Sequence, residues 1–113
     1  MITVEPKIEQ LLHLVESELK LLFRNKLSEI ILYGSYARGD YNQKSDIDVI
    51  ALVDEGDLNQ YDRQILELNV DLSIEYDVDL SIVIISRVDF DSNVDIIPLY
   101  RNIDKEGISI YAA

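Results

Sequence analysis

Apolar residues first recur at helical steps. Ile8, Leu11, Leu12, Val15, Leu19 and Leu22 lie three or four apart, which predicts an amphipathic helix from about Pro6 to Asn25. Pro6 suits a first turn, where its missing N–H leaves no intrahelical bond unmade. The period then changes. Ser28 to Tyr33 is a short apolar run ending in Gly34-Ser35, and Asp46 to Val53 (DIDVIALV) is rich in β-branched residues; each predicts a strand. Leu58, Tyr61, Ile65, Leu68 and Leu72 return to helical steps, with Asp57 placed as an N-cap. Val78 to Ile85 (VDLSIVII) predicts a third strand. A weaker helical run covers Val94 to Glu106, with Gly107 as its C-cap, and Ile108 to Tyr111 adds a short edge strand. The order α-β-β-α-β-α, closed by that edge strand, predicts an α/β (α+β) class: a short mixed sheet with helices packed mainly on one face.

Composition narrows the function classes. A chain of 113 residues without repeats or Pro/Gly-rich linkers predicts one domain, 1–113. Cysteine is absent, which excludes disulfides and thiolate metal sites. No apolar run reaches membrane-spanning length, and MITVEPKIEQ lacks the layout of a signal peptide, so the expected location is cytoplasmic. Twenty-two acidic against ten basic residues leave a net charge of −12. That field repels long nucleic acid, whose phosphates dominate binding. A small nucleotide carried with its metal ion, or a basic protein, remains compatible.

The candidate chemistry lies in GSYARGDYNQKSDIDVIALV, residues 34–53. In a strand, Asp46 and Asp48 project to one side, roughly 7 Å apart at Cα, while Ile47 and Val49 turn into the core. Two adjacent carboxylates repel each other, and a divalent cation relieves that repulsion; an all-oxygen donor set favours Mg²⁺ or Mn²⁺. Sites of this kind hold two ions that position a triphosphate for in-line displacement. Gly34 allows close backbone approach, and Ser35 offers a hydroxyl and an N–H to phosphate oxygens. A helical turn over Tyr36–Gly39 would add oriented amides. Arg38 either touches phosphate or pairs with Asp40. Lys44 stands as surface or as a steering charge, and Tyr36 as core or as a contact for a base or ribose. The plain alternatives are a solvated strand face for the two aspartates, a turn for Gly34 and a cap for Ser35. His13 has no partner in the sequence that would make it a base.

Gly34-Ser35, ten intervening residues and Asp46-x-Asp48 resemble the signature of the polymerase-β-like nucleotidyltransferase superfamily. The fuller wording resembles the minimal nucleotidyltransferase (MNT) domain, and the likeness runs over most of the chain. Such domains pair as antitoxins with HEPN-domain ribonuclease toxins. The resemblance implies an enzyme that uses ATP with two Mg²⁺ ions and transfers AMP to a hydroxyl, a tyrosine of the HEPN toxin, in a hetero-oligomer with it. It implies metal ligation by Asp46 and Asp48, and nucleotide binding by Gly34, Ser35 and Arg38. It also implies a third carboxylate on a neighbouring strand that helps bind the metal and activate the acceptor hydroxyl; strand alternation makes Asp79 the candidate and Asp77 the runner-up. With no evident room for a second substrate-binding domain, a partner is expected to present the acceptor. Two other readings stay open: an antitoxin that neutralises by binding alone, and a small-molecule nucleotidyltransferase subunit.

Overall fold

The central strand of the protein is apolar at every position but one. In the computed structural model, which describes residues 5–42 and 44–113, Ile47–Val53 forms β2, reading IDVIALV. A strand buried on both faces carries a continuous apolar run rather than an alternating one. Asp48 is the single interruption.

Strand β1 (Leu27–Tyr33) pairs antiparallel with β2, β3 (Leu80–Ser86) pairs parallel with β2, and β4 (Ile108–Ala112) pairs antiparallel with β1. The sheet is therefore mixed, in the order β3-β2-β1-β4. Helix α1 (Pro6–Phe23) buries Ile8, Leu11, Leu12, Val15, Leu19 and Phe23. With α3 (Asp62–Tyr76) it covers one face of the sheet, against Ile30, Leu32, Ile47, Val49, Ala51, Leu80 and Ile82. Burying each such Leu or Ile contributes roughly 1.5–3 kcal/mol. The two longest helices thus share a face, as expected.

The other face carries a smaller cluster of Ile31, Ile50, Leu52, Ile85, Phe90 and Ile103. Phe90 comes from α4 (Arg87–Asn93) and Ile103 from α5 (Pro98–Glu106). The expected helix over Val94–Glu106 begins later, at Pro98, and α4, which the sequence pattern did not predict, precedes it. Pro98 stands at the first position of α5, where its ring is accepted, and the residue before proline is driven to extended backbone; Ile97 has φ −86° and ψ 117°. Gly107 closes α5 by donating its N–H to the carbonyl of Ile103 at 2.8 Å, as expected.

Asp57 caps a shorter element than predicted. Its Oδ1 accepts the Asn59 N–H at 3.1 Å at the start of a 3₁₀ turn, Asn59–Tyr61, and α3 begins only at Asp62. Asp77 ends α3 in the left-handed region, φ 50°, its N–H bonded to Ile74 and Ser73 carbonyls. No helix among the described residues is long and apolar enough to cross a membrane.

Candidate active site

The turn after β1 is built around a backbone conformation that only glycine accepts readily. Gly34 has φ 78° and ψ −152°. A Cβ at this position would lie 2.7 Å from Oδ2 of Asp48, so the missing side chain is what lets the carboxylate approach the main chain. Gly34 then opens α2 (Ser35–Arg38), a single helical turn. Its carbonyl accepts the N–H groups of Ala37 and Arg38, both at 3.1 Å. The N–H groups of Ser35 and Tyr36 precede these first bonds and have no partner within the turn. Gly39, at φ 84°, ends it.

A folded loop returns the chain to β2. The Asn42 side chain accepts the Lys44 N–H at 2.8 Å, and the Ser45 hydroxyl accepts the Asn42 N–H at 2.9 Å. Asp46 follows, exposed, immediately before β2. Asp48 is half-buried inside β2, opposite Tyr33 of β1 and in register with Ser81 of β3. Both neighbours lie on the same side of the sheet as Asp48. Neither was singled out from the sequence, because pairing register is a property of the folded sheet.

Asp79 sits one residue before β3, with its carbonyl accepting the Ile47 N–H at 2.9 Å. This anchors it beside the start of β2. The Asp48 carboxyl is pushed above its ordinary range by burial first, then by the charges of Asp46 and Asp79. All three aspartates therefore act on one spot. Among the described residues, no lysine, arginine or hydrogen-bond donor side chain is paired with any of them. A half-buried carboxylate with two like charges nearby and no internal cation is an all-oxygen donor set that fits a divalent cation. Among the described residues no three carboxylate or histidine groups are gathered tightly enough to form a ready-made cluster. Asp46 and Asp48 would hold the ion, with Asp79 contributing to the field. Asp77 is taken up in the cap of α3.

For Arg38 and Tyr36 the structure shows the plainer of the two expected contacts. Arg38 pairs with Asp40 (Nε–Oδ2 3.3 Å) and with Glu106 (Nη1–Oε2 3.6 Å), so its guanidinium is already engaged by carboxylates. The Tyr36 ring is buried in the main core and stacked on Tyr41, centroids 4.3 Å apart and planes 11° apart. It serves packing rather than a base or ribose. Lys44 is exposed.

A cavity of about 940 Å³ lies at the other end of β2 and β3, reached by Asp54, Leu58, Ser86, Val88 and Tyr100. It is distant from the aspartates. Size alone does not make it the reaction site. Glu55 and Asp89 beside it are satisfied internally, whereas among the described residues no side-chain partner answers Asp46 or Asp48.

The start of β2 thus gathers carboxylates unpaired among the described residues against a glycine turn of positive φ. The family model "Nucleotidyltransferase domain" matches residues 14–105, and the chain belongs to that family as a nucleotidyltransferase. A protein of Methanocaldococcus jannaschii, provisionally named a protein adenylyltransferase, is 33% identical over 85 residues, covering 75% of this chain and 86% of that protein. The same fold occurs in a toxin–antitoxin crystal structure with AMP-PNP: TM-score 0.59, 24% identity, 87% of this chain and 71% of the other. It recurs in a complex of a tri-AMPylated Shewanella oneidensis HEPN toxin with its MNT antitoxin: TM-score 0.50, 23% identity, 89% and 72% covered.

Proposed function

We propose that this chain is an MNT-type antitoxin that transfers AMP from ATP to a tyrosine hydroxyl of a HEPN ribonuclease toxin and so silences it in the cytoplasm. The observation that carries the reading is the unpaired Asp46–Asp48 couple set against Gly34. Support comes from the relative named for protein adenylylation and from the shared fold of an antitoxin seen with its AMPylated toxin.

In this reading the acceptor oxygen attacks the α-phosphorus, a new P–O bond forms, the bond to the bridging oxygen breaks, and pyrophosphate leaves. Ser35 and the backbone at Gly34 hold the β- and γ-phosphates. Asp46 and Asp48, with help from Asp79, would hold Mg²⁺ (or Mn²⁺), two ions being expected, and bound metal would neutralise charge on the triphosphate. Asp79, nearest in register to the start of β2, orients the acceptor and takes its proton. Arg38 reaches phosphate by exchanging one of its two carboxylate partners. Such chemistry rests on positioning and charge neutralisation, which a small sheet can supply. The partner presents the acceptor, making the working unit a hetero-oligomer.

Intact-mass spectrometry tests this. A candidate HEPN toxin is incubated with the protein, ATP and Mg²⁺, with Asp46→Ala/Asp48→Ala as control. Mass gains in AMP steps, absent with the variant, are expected. A stable unmodified complex would instead show neutralisation by coverage, which the net charge of −12 also favours. Labelling of a small-molecule acceptor in place of the toxin would overturn the choice of substrate.

A further inference from the structure

The outer edge of β3 is closed along only half its length. The Asn69 side chain accepts the Ile82 N–H at 2.8 Å and donates to the Ile82 carbonyl at 3.2 Å, and the Leu80 N–H donates to Ser73 Oγ at 3.0 Å. Two α3 residues, four apart, thus stand in for a neighbouring strand. Backbone groups alternate in direction along a strand, and Asp79, one residue before β3, turns its carbonyl the other way, to β2. By that alternation Ile84 and Ser86 face outward like Leu80 and Ile82. One more four-residue step back along α3 brings Ile65, which is apolar and buried and has no hydrogen bond to offer. The Ser86 carbonyl starts α4, but the Ile84 N–H, the Ile84 carbonyl and the Ser86 N–H have no partner among the described residues.

The 940 Å³ cavity opens beside this stretch. Ile84, Leu58 and the largely exposed Val88 give it an apolar floor, and Asp54, Glu55, Asp57 and Asp89 give it an acidic rim. We infer that an extended segment of a partner protein, bearing lysine or arginine at alternate positions, docks here as an added strand against Ile84–Ser86. The main-chain pairing supplies register, the apolar floor takes one set of side chains, and the rim pairs with the cationic set. Nucleic acid would meet the same rim with like charge. This inference goes beyond the transfer reaction and does not depend on it, because the groove lies at the far end of the sheet from Gly34.

The test uses the full chain in ¹⁵N NMR titrations with acetyl-Lys-Val-Lys-Val-Lys-amide. Shifts and slowed exchange centred on the Ile84 and Ser86 amides are expected, with the Gly34 and Asp48 amides unmoved. A peptide N-methylated at its central residues, and one with glutamate for lysine, should each bind at least about tenfold more weakly. Ile84→Pro removes an outward N–H at an edge position, together with the Ile84 side chain of the floor, and should abolish binding. Asp54→Lys, at a side chain without a hydrogen-bond or ion-pair partner among the described residues, should weaken it. Equal binding of the N-methylated peptide, shifts scattered over other acidic surfaces, or self-association of the chain through this edge would each overturn the assignment. Should Ile84→Pro not fold, the N-methylated peptide decides the matter alone.

Discussion

The two ends of β2 are both acidic, and they differ in how their carboxylates are answered. At the far end, Glu55 accepts hydrogen bonds from Tyr61 and Gln60 and pairs with Lys26 at 3.2 Å, and its carboxyl is held below the usual range chiefly by the Tyr61 hydroxyl. Asp89 accepts Tyr100 at 2.7 Å and Asn93 at 3.0 Å. These acids hold loops and helices together. At the Gly34 end, Asp48 is half-buried, raised by burial and by two aspartates, and without a paired cation among the described residues. A fold keeps such an unfavourable arrangement where a ligand completes it. A cavity of about 940 Å³ lies at the end where Glu55 and Asp89 are satisfied, so partner supply rather than volume separates scaffold from site.

The contrast is broken most forcefully at the unsatisfied end. Asp46→Ala with Asp48→Ala should lower AMP transfer by at least about 10³-fold, read by intact mass, with circular dichroism unchanged. Next comes Gly34→Ala. It forces a side chain into a backbone region costing on the order of 1–3 kcal/mol and against Asp48, so both transfer and thermal stability should fall. A variant with full activity would show that Asp48 need not approach the turn.

Smaller effects sharpen the comparison. Because burial and like charges raise the Asp48 carboxyl, its charged form is penalised in the ligand-free fold. Its contribution to stability is fully present below the ordinary value of 3.8 and is lost as pH rises through the raised folded value. Asp48→Asn should therefore melt roughly 2–4 °C later than the parent at pH 7, with the gap closing in acid. Added Mg²⁺ should stabilise the parent alone. An earlier melt at pH 7 would mean that Asp48 has an internal partner.

The smallest change belongs to the satisfied end. Tyr100 donates to Asp89 and its hydroxyl is pushed from 10.0 up to about 12, first by that hydrogen bond and then by burial. The stability this adds is whole below pH 10.0 and fades as pH rises through about 12. Tyr100→Phe should lose at most about 1 kcal/mol at pH 8 and none of the transfer activity. Its stability curve should flatten across that alkaline window. Loss of transfer in this variant would join the two ends functionally.

Much of this molecule was written in local pattern. The helical steps of Ile8 to Leu22, the continuous apolar run of β2 and the Gly34-Ser35…Asp46-x-Asp48 spacing each depend on near neighbours, so strands, main helices and the candidate carboxylates were legible directly. The break at Pro98 was legible too, had its effect on Ile97 been weighed against the weak periodicity around it. By contrast, the juxtaposition of Asp48 with Tyr33 and Ser81, and the like charge of Asp79 acting on Asp48, arise from pairing between strands far apart in the chain. Sequence spacing carries no register.

Arg38 shows the same limit from the other side. Its pairing with Asp40 could be anticipated from two-residue spacing, but Glu106, sixty-eight positions away at the end of α5, could not. Sequence alone determined which chemistry the chain can offer, because side-chain type and period are local properties. The tertiary structure decided which acids stay unanswered, because a carboxylate is satisfied or left charged only by what the fold brings beside it.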